Sequence, residues 1–141
     1  MQDRYLIQIE GQMDLSGDVD TVNLMTRGSF IHKDGSFYIT YEESEATGYA
    51  GNVTTVQVED NDKVSMLRYG SMPSQLIIER GRRHVCHYDS NAGVISLGVA
   101  ADEIISHLTE RGGDVTFSYS LDSGSSHISH NKVKITVQEA N

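Results

Sequence analysis

Apolar and polar residues alternate with a period of two along most of this chain. In "FYITYEES", Phe37, Ile39 and Tyr41 fall on one face and Tyr38, Thr40 and Glu42 on the other. The same style runs through "YLIQIEG", "VTTVQVED", "KVSMLRYG", "QLIIER", "RRHVCHY", "GVISLGV", "DVTFSYSL" and "NKVKITVQE". These segments are rich in Val, Ile, Thr, Tyr and Phe, whose branched or aromatic side chains fit a pleated surface. Turn-forming residues separate them: Ser16-Gly17, Asp34-Gly35, Asn61-Asp62, Gly81, Asn91-Ala92-Gly93, Gly112-Gly113 and Ser123-Gly124. Gly-Ser-Phe occurs twice, at 28–30 and 35–37, flanking the Asp34-Gly35 turn, and reads as two arms of one hairpin. Short strands joined by short turns predict an all-β antiparallel meander.

About nine or ten strands in one small domain must avoid long open edges, and closing into a barrel does so most cleanly, with a sandwich next. A barrel of about eight strands has an interior that side chains fill or that holds one small ligand. One segment departs from the alternation. In "AADEIISHLTERGG", Ala100, Ile104 and Leu108 recur at helical spacing with Ala101 and Ile105 beside them, so local pattern favours a short helix over a bulged strand. The lone Pro73 sits in a connection, where its missing N–H costs no ladder bond.

Candidate chemistry concentrates in "IIERGRRHVCHYDS", which gathers Arg80, Arg82, Arg83, His84, His87 and the only cysteine, Cys86. A turn at Gly81 makes 76–80 and 82–88 the arms of a hairpin. Strand geometry then sends Arg82, His84, Cys86 and Tyr88 to one face and Arg83, Val85 and His87 to the other. His84 and His87 therefore cannot ligate one metal together with Cys86, and no Cys-x-x-Cys pair supplies further ligands. A lone mid-strand cysteine is read as a small buried hydrophobe rather than a nucleophile. Glu79 and Arg82 are placed to pair across the turn. His127 and His130 read as surface residues. No nucleophile elbow, P-loop or dinucleotide fingerprint is present, and no catalytic residue, metal ligand or cofactor is assigned.

A second constellation joins "YEES" to "LRYG". Tyr41 and Glu43 share a face, and Arg68 shares the apolar side of its strand with Val64 and Met66. A buried guanidinium needs an acceptor, which Glu43 or Glu42 would supply. Such an ion pair would pin strand register. Alternatively, Arg68 serves as an anion or carboxylate contact in a barrel mouth, using its planar donor fork.

Length and charge narrow the classes. At 141 residues the chain suits one domain with a real core. One cysteine allows no internal disulfide, and the N-terminal "MQDRYLIQIEGQ" lacks a basic region followed by a long apolar one, so a cytoplasmic protein is expected. No apolar run approaches the roughly eighteen residues that span a bilayer. With twenty acids against eleven Lys and Arg, the formal net charge is −9. An acidic surface with dispersed bases disfavours nucleic acid and anionic membranes as partners.

The ordered series "GSFIHKDGSFYITYEESEATG", "VSMLRYGSMPSQLIIERGRRHVCHYDSNAGVISLGV" and "GGDVTFSYSL" resembles the YwiB-like family of small bacterial proteins of unknown function. Gly28 with Phe30, the run Tyr38 to Glu43, Arg68 with Gly70, Gly81, Tyr88, Gly93 and the run Gly112 to Tyr119 carry the likeness over nearly the whole chain. The resemblance implies a lipocalin-like (calycin) β-barrel in an intracellular bacterial protein, and it favours an irregular strand at 100–108. It supplies no activity. The link after Tyr88 departs from the family's Thr-Pro-aromatic-Gly pattern, reading Asp89-Ser90-Asn91-Ala92-Gly93.

The expected function is small-ligand binding inside the barrel, with Tyr41, Glu43, Arg68, His84 and Tyr88 as candidate contacts in an otherwise apolar pocket. A non-catalytic interaction protein, either a homodimer or one whose acidic surface meets a basic partner, is the alternative. An enzyme built on clustered acids and His84 ranks third, because no nucleophile, base and orienting group can be placed together.

Overall fold

The computed structural model describes residues 4–90 and 93–140, the side chains of 88–90 excepted. Ten strands follow one another: β1 (Tyr5–Leu15), β2 (Asp18–Lys33), β3 (Ser36–Glu42), β4 (Val53–Glu59), β5 (Lys63–Tyr69), β6 (Ser74–Glu79), β7 (Arg83–Ser90), β8 (Gly93–Ser106), β9 (Gly112–Asp122) and β10 (His127–Glu139). Each pairs antiparallel with the next, and β1 pairs with β10, so the meander closes into a barrel. This all-β, ten-stranded barrel is consistent with a lipocalin-like one. No helix occurs among the described residues, and none is long and apolar enough to cross a membrane.

Hairpin chemistry sets the order. Ser16 and Gly17 turn β1 into β2, and Asp34 and Gly35 turn β2 into β3, each with positive φ as tight two-residue turns require. The two Gly-Ser-Phe copies do lie on opposite arms of the β2–β3 hairpin. Phe30 and Phe37 stack at 5.6 Å, Tyr5 meets Phe30 edge-on at 5.4 Å, and His32 stacks on Phe37 at 4.4 Å. These rings pack the end of the barrel that holds the 34–35, 60–62 and 80–82 turns, called here the lower end.

The segment 100–108 is not a helix. Residues 100–106 belong to β8, which carries a bulge between Ala101 and Glu103. The extra residue lets Ala101 and Ile104 both turn inward, against Tyr119 and Phe117, although they are three apart. A bulged strand thus reproduces helical spacing. The extruded Asp102 reaches across β9 to His130 on β10, with Asp102 Oδ2 2.9 Å from His130 Nε2.

The thinnest seam lies between β6 and β7. The Gly81 turn closes as expected, through the Arg82 N–H to the Glu79 carbonyl, but the arms then diverge. Only Ser74 and Tyr88 pair beyond the Glu79–Arg82 bridge. In the gap the Ile77 N–H donates to Cys86 Sγ at 3.4 Å, so the buried thiol stands in for a missing ladder carbonyl. Outside the neighbouring seams, Arg83 crosses Gly98 to form a two-pronged ion pair with Asp122, its Nε donating to Oδ2 at 3.0 Å. A Cβ at position 98 would sit inside that guanidinium, 2.0 Å from its Nη2.

Candidate functional site

The closed register converts sequence alternation into belts around the interior. One belt runs Phe30–Ile39–Val56–Met66–Leu76, and a lower one Phe37–Val58–Val64–Ile78. Both are apolar, and Ile39, Val56, Val58, Val64 and Ile78 are wholly buried. The next belt up runs Gly28–Tyr41–Thr54–Arg68–Ser74–Tyr88–Ile95 through seven consecutive strands. Three of the five sequence-predicted contacts, Tyr41, Arg68 and Tyr88, hold positions in this belt. The side chain of Tyr88 lies outside the described residues, as do Asn91 and Ala92 in the link that departs from the family pattern. Glu43 sits one pleat above Tyr41.

The interior is therefore divided. Its lower part is a packed hydrocarbon core, while its upper part collects Tyr41, Glu43, Asn52, Thr54, Arg68, Tyr119, Ser129 and Asn131. Ser129 and Asn131, both buried, come from β10, where the Asn131 side-chain amide donates to Ser129 Oγ at 3.0 Å. Tyr119 pairs with Asn131 across the β9–β10 ladder.

Arg68 is only 7% exposed. Its Nε donates to the Met72 carbonyl at 2.6 Å, and its guanidinium lies 3.6 Å above the Tyr49 ring. Asn52 binds the same two loops, donating to the Tyr49 carbonyl at 2.9 Å and accepting the Met72 N–H at 3.0 Å. Arg68 and Asn52 thus fasten the 43–52 and 70–73 connections over this end.

The expected pairing of Arg68 with Glu43 or Glu42 is not formed. Glu42 is exposed, and Glu43 Oε2 instead accepts the Thr54 hydroxyl at 2.6 Å. Register explains the difference. β4 lies between β3 and β5, so Glu43, just past the end of β3, and Arg68 on β5 are separated by a strand pair roughly 10 Å wide, with Thr54 in the intervening position. The other carboxylate oxygen, Glu43 Oε1, is buried and has no hydrogen-bond partner among the described residues.

The neighbourhood also acts on Tyr41. Burial pushes its hydroxyl well above the ordinary phenol range, and the charge of Glu43 adds to the rise; Tyr119 adds a smaller one, while Thr54 and Arg68 oppose it. The Tyr41 hydroxyl is consequently protonated, and a hydrogen-bond donor, at physiological pH.

His84 is not brought to this group. It lies four residues along β7 from Tyr88, roughly 13 Å, toward the lower end. There its Nε2 is 2.8 Å from Glu79 Oε1, and this bond holds the Glu79 carboxyl below its ordinary value. Glu79 thus takes His84 rather than Arg82 as its side-chain partner, because His84 turns inward along the seam. His87 faces outward and meets Ser96 at 3.2 Å. Two open surface depressions lie elsewhere. One of about 680 Å³ is bordered by His107, Arg111 and Gln138 at the lower rim, and one of about 590 Å³ by Glu10, Lys132 and Lys134 on the outer wall.

Alternation alone could have found two further residues. Thr54 shares a face with Val56 and Val58, and Asn131 with Val133 and Ile135. A polar residue on an otherwise apolar face is the same signal that singled out Arg68.

Fold and interior together define the class: an up-and-down antiparallel β-barrel, apolar at one end and carrying buried polar groups at the other. Within that class the chain belongs to the DUF1934 family, a domain of unknown function whose model matches residues 7–135. The fold is also that of the crystal structure of the ywiB protein from Bacillus subtilis, with a TM-score of 0.84 at 19% identity, covering 99% of this chain and 93% of that one. No curated protein matches the sequence.

Proposed function

We propose that the protein binds a small organic molecule at the polar end of its barrel, where Tyr41, Glu43 and Thr54 contact it and Arg68 with Asn52 holds the mouth in shape. The observation that carries this reading is Glu43 Oε1. A buried carboxylate oxygen without a donor costs on the order of 1–3 kcal/mol or more, and such atoms are scarce in folded proteins. A bound molecule that supplies the donor removes that cost. Tyr41 offers a second, protonated contact beside it, and the belts below are apolar and buried.

The alternative, a homodimer or other interaction protein, has less support. Exposed apolar side chains are spread over β1, β2, β5, β7 and β8, with Met13, Leu15 and Val19 near the β1–β2 turn and Met25, Ile31, Tyr69, Val85 and Val94 farther apart. Single exposed apolar residues of this kind are normal on a monomer. We place the protein in the cytoplasm on the strength of its family likeness and its single buried cysteine thiol.

Native mass spectrometry of gently purified protein tests the reading. Extra mass that leaves on denaturation is expected. An unliganded mass at every concentration, with dimer rising as concentration rises, would favour the interaction protein instead.

A further inference from the structure

The buried acceptor also selects the chemical class of the molecule. Resting on the ligand-binding reading above, we infer that it presents a cationic nitrogen donor, an ammonium or amidinium group, to Glu43 Oε1. Thr54 gives the carboxylate one neutral hydrogen bond, at 2.6 Å to Oε2, and Oε1 receives none among the described residues. Glu43 is half-buried with Oε1 wholly enclosed, so one hydroxyl leaves much of its charge uncompensated, and an N⁺–H donor supplies both the missing bond and the missing charge. A carboxylate or phosphate ligand would set a second acceptor against the first and add like-charge repulsion.

Two further features agree. The buried cation of this end, Arg68, is directed at the loops, with Nε on the Met72 carbonyl and its plane over Tyr49. At the Tyr41 hydroxyl the charge of Glu43 acts more strongly than that of Arg68. Tyr41 and Tyr119 belong to the same polar end, and ring faces attract ammonium groups. Outside, the net charge of −9 draws cations toward the protein.

Three fragments of one shape and different charge test this: benzylammonium, benzyl alcohol and benzoate, each titrated into protein freed of endogenous ligand and followed by amide chemical shifts. Benzylammonium is expected to bind about tenfold or more tighter than benzyl alcohol, as charge-assisted hydrogen bonds allow, with benzoate weakest. Glu43→Gln should erase the advantage of benzylammonium over benzyl alcohol. If Glu43→Gln does not fold, Glu43→Asp keeps the charge but withdraws the oxygens by one methylene, and should weaken benzylammonium several-fold. Benzoate or benzyl alcohol binding at the polar end as tightly as benzylammonium would overturn the cationic class while leaving ligand binding intact. Shifts from none of the three, with apo mass in the native spectrum, would overturn both.

Discussion

Replacing Thr54 by Val tests the polar end without any ligand in hand. Thr54 is 2% exposed and sits between Tyr41 and Arg68 in the belt. Valine keeps the volume, the β-branching and the strand preference, and removes only the hydroxyl. That hydroxyl makes the one described hydrogen bond to the Glu43 carboxylate, at 2.6 Å. Hydrogen bonds to charged groups contribute about 1.5–3 kcal/mol, and here the partner left behind already has one unpaired oxygen. Thr54→Val should therefore cost about 2–3 kcal/mol. In urea, with a slope of about 1–3 kcal/mol/M, the midpoint falls by about 1 M. Adding Glu43→Leu removes the stranded charge and should recover most of the loss, giving a coupling energy of about 1.5–2 kcal/mol in the double-mutant cycle. A Thr54→Val cost below about 0.5 kcal/mol, or strictly additive single variants, would refute the account of a buried, underpaired carboxylate.

Other consequences can be measured on the same protein. Gly28→Ala places a Cβ 2.2 Å from the Thr40 carbonyl oxygen and 2.4 Å from Ile7 Cδ1. Because the first of these is backbone, the loss of about 3 kcal/mol in thermal unfolding should persist when Ile7 is shortened to Val. The Arg83 hydrogen bond holds the Asp122 carboxyl below its ordinary value of 3.8. Its stabilisation is thus fully present above pH 3.8 and lost as pH falls through the lower folded value, so wild type and Asp122→Asn should differ in stability at pH 6 and converge on acidification. A difference that grows toward low pH would contradict the ion pair. At the β6–β7 seam, amides should exchange faster than those of β9–β10, and thiol reagents should label Cys86 at the rate of that local opening. Labelling only upon global unfolding would show the seam to be as firm as the rest.

What the sequence made legible follows from what alternation encodes. Period two separates inward from outward positions, so Tyr41, Glu43 and Arg68 were recognisable as polar residues on core faces, and Arg83 and His87 as outward ones. Alternation carries no register between strands. Which polar residues share a belt, and that Thr54 rather than Arg68 meets Glu43, depends on Gly28, Tyr41, Thr54 and Arg68 aligning across four strands. His84 shows the same gap: its inward face was readable, its distance from Tyr41 was not. The stretch from Ala100 to Leu108 was ambiguous for a different reason, since a bulge at Asp102 imposes a three-residue repeat on a strand.

The central claim is that Glu43 Oε1, which has no donor among the described residues, receives one from a bound molecule. A crystal structure of the protein purified gently from the cells that make it, at a resolution that separates water from organic density, addresses it most directly. The account predicts non-protein, non-water density at the polar end, with a nitrogen within about 3.2 Å of Glu43 Oε1. A protein group or an ordered water occupying that position, with side chains filling the space beyond it, would contradict the account.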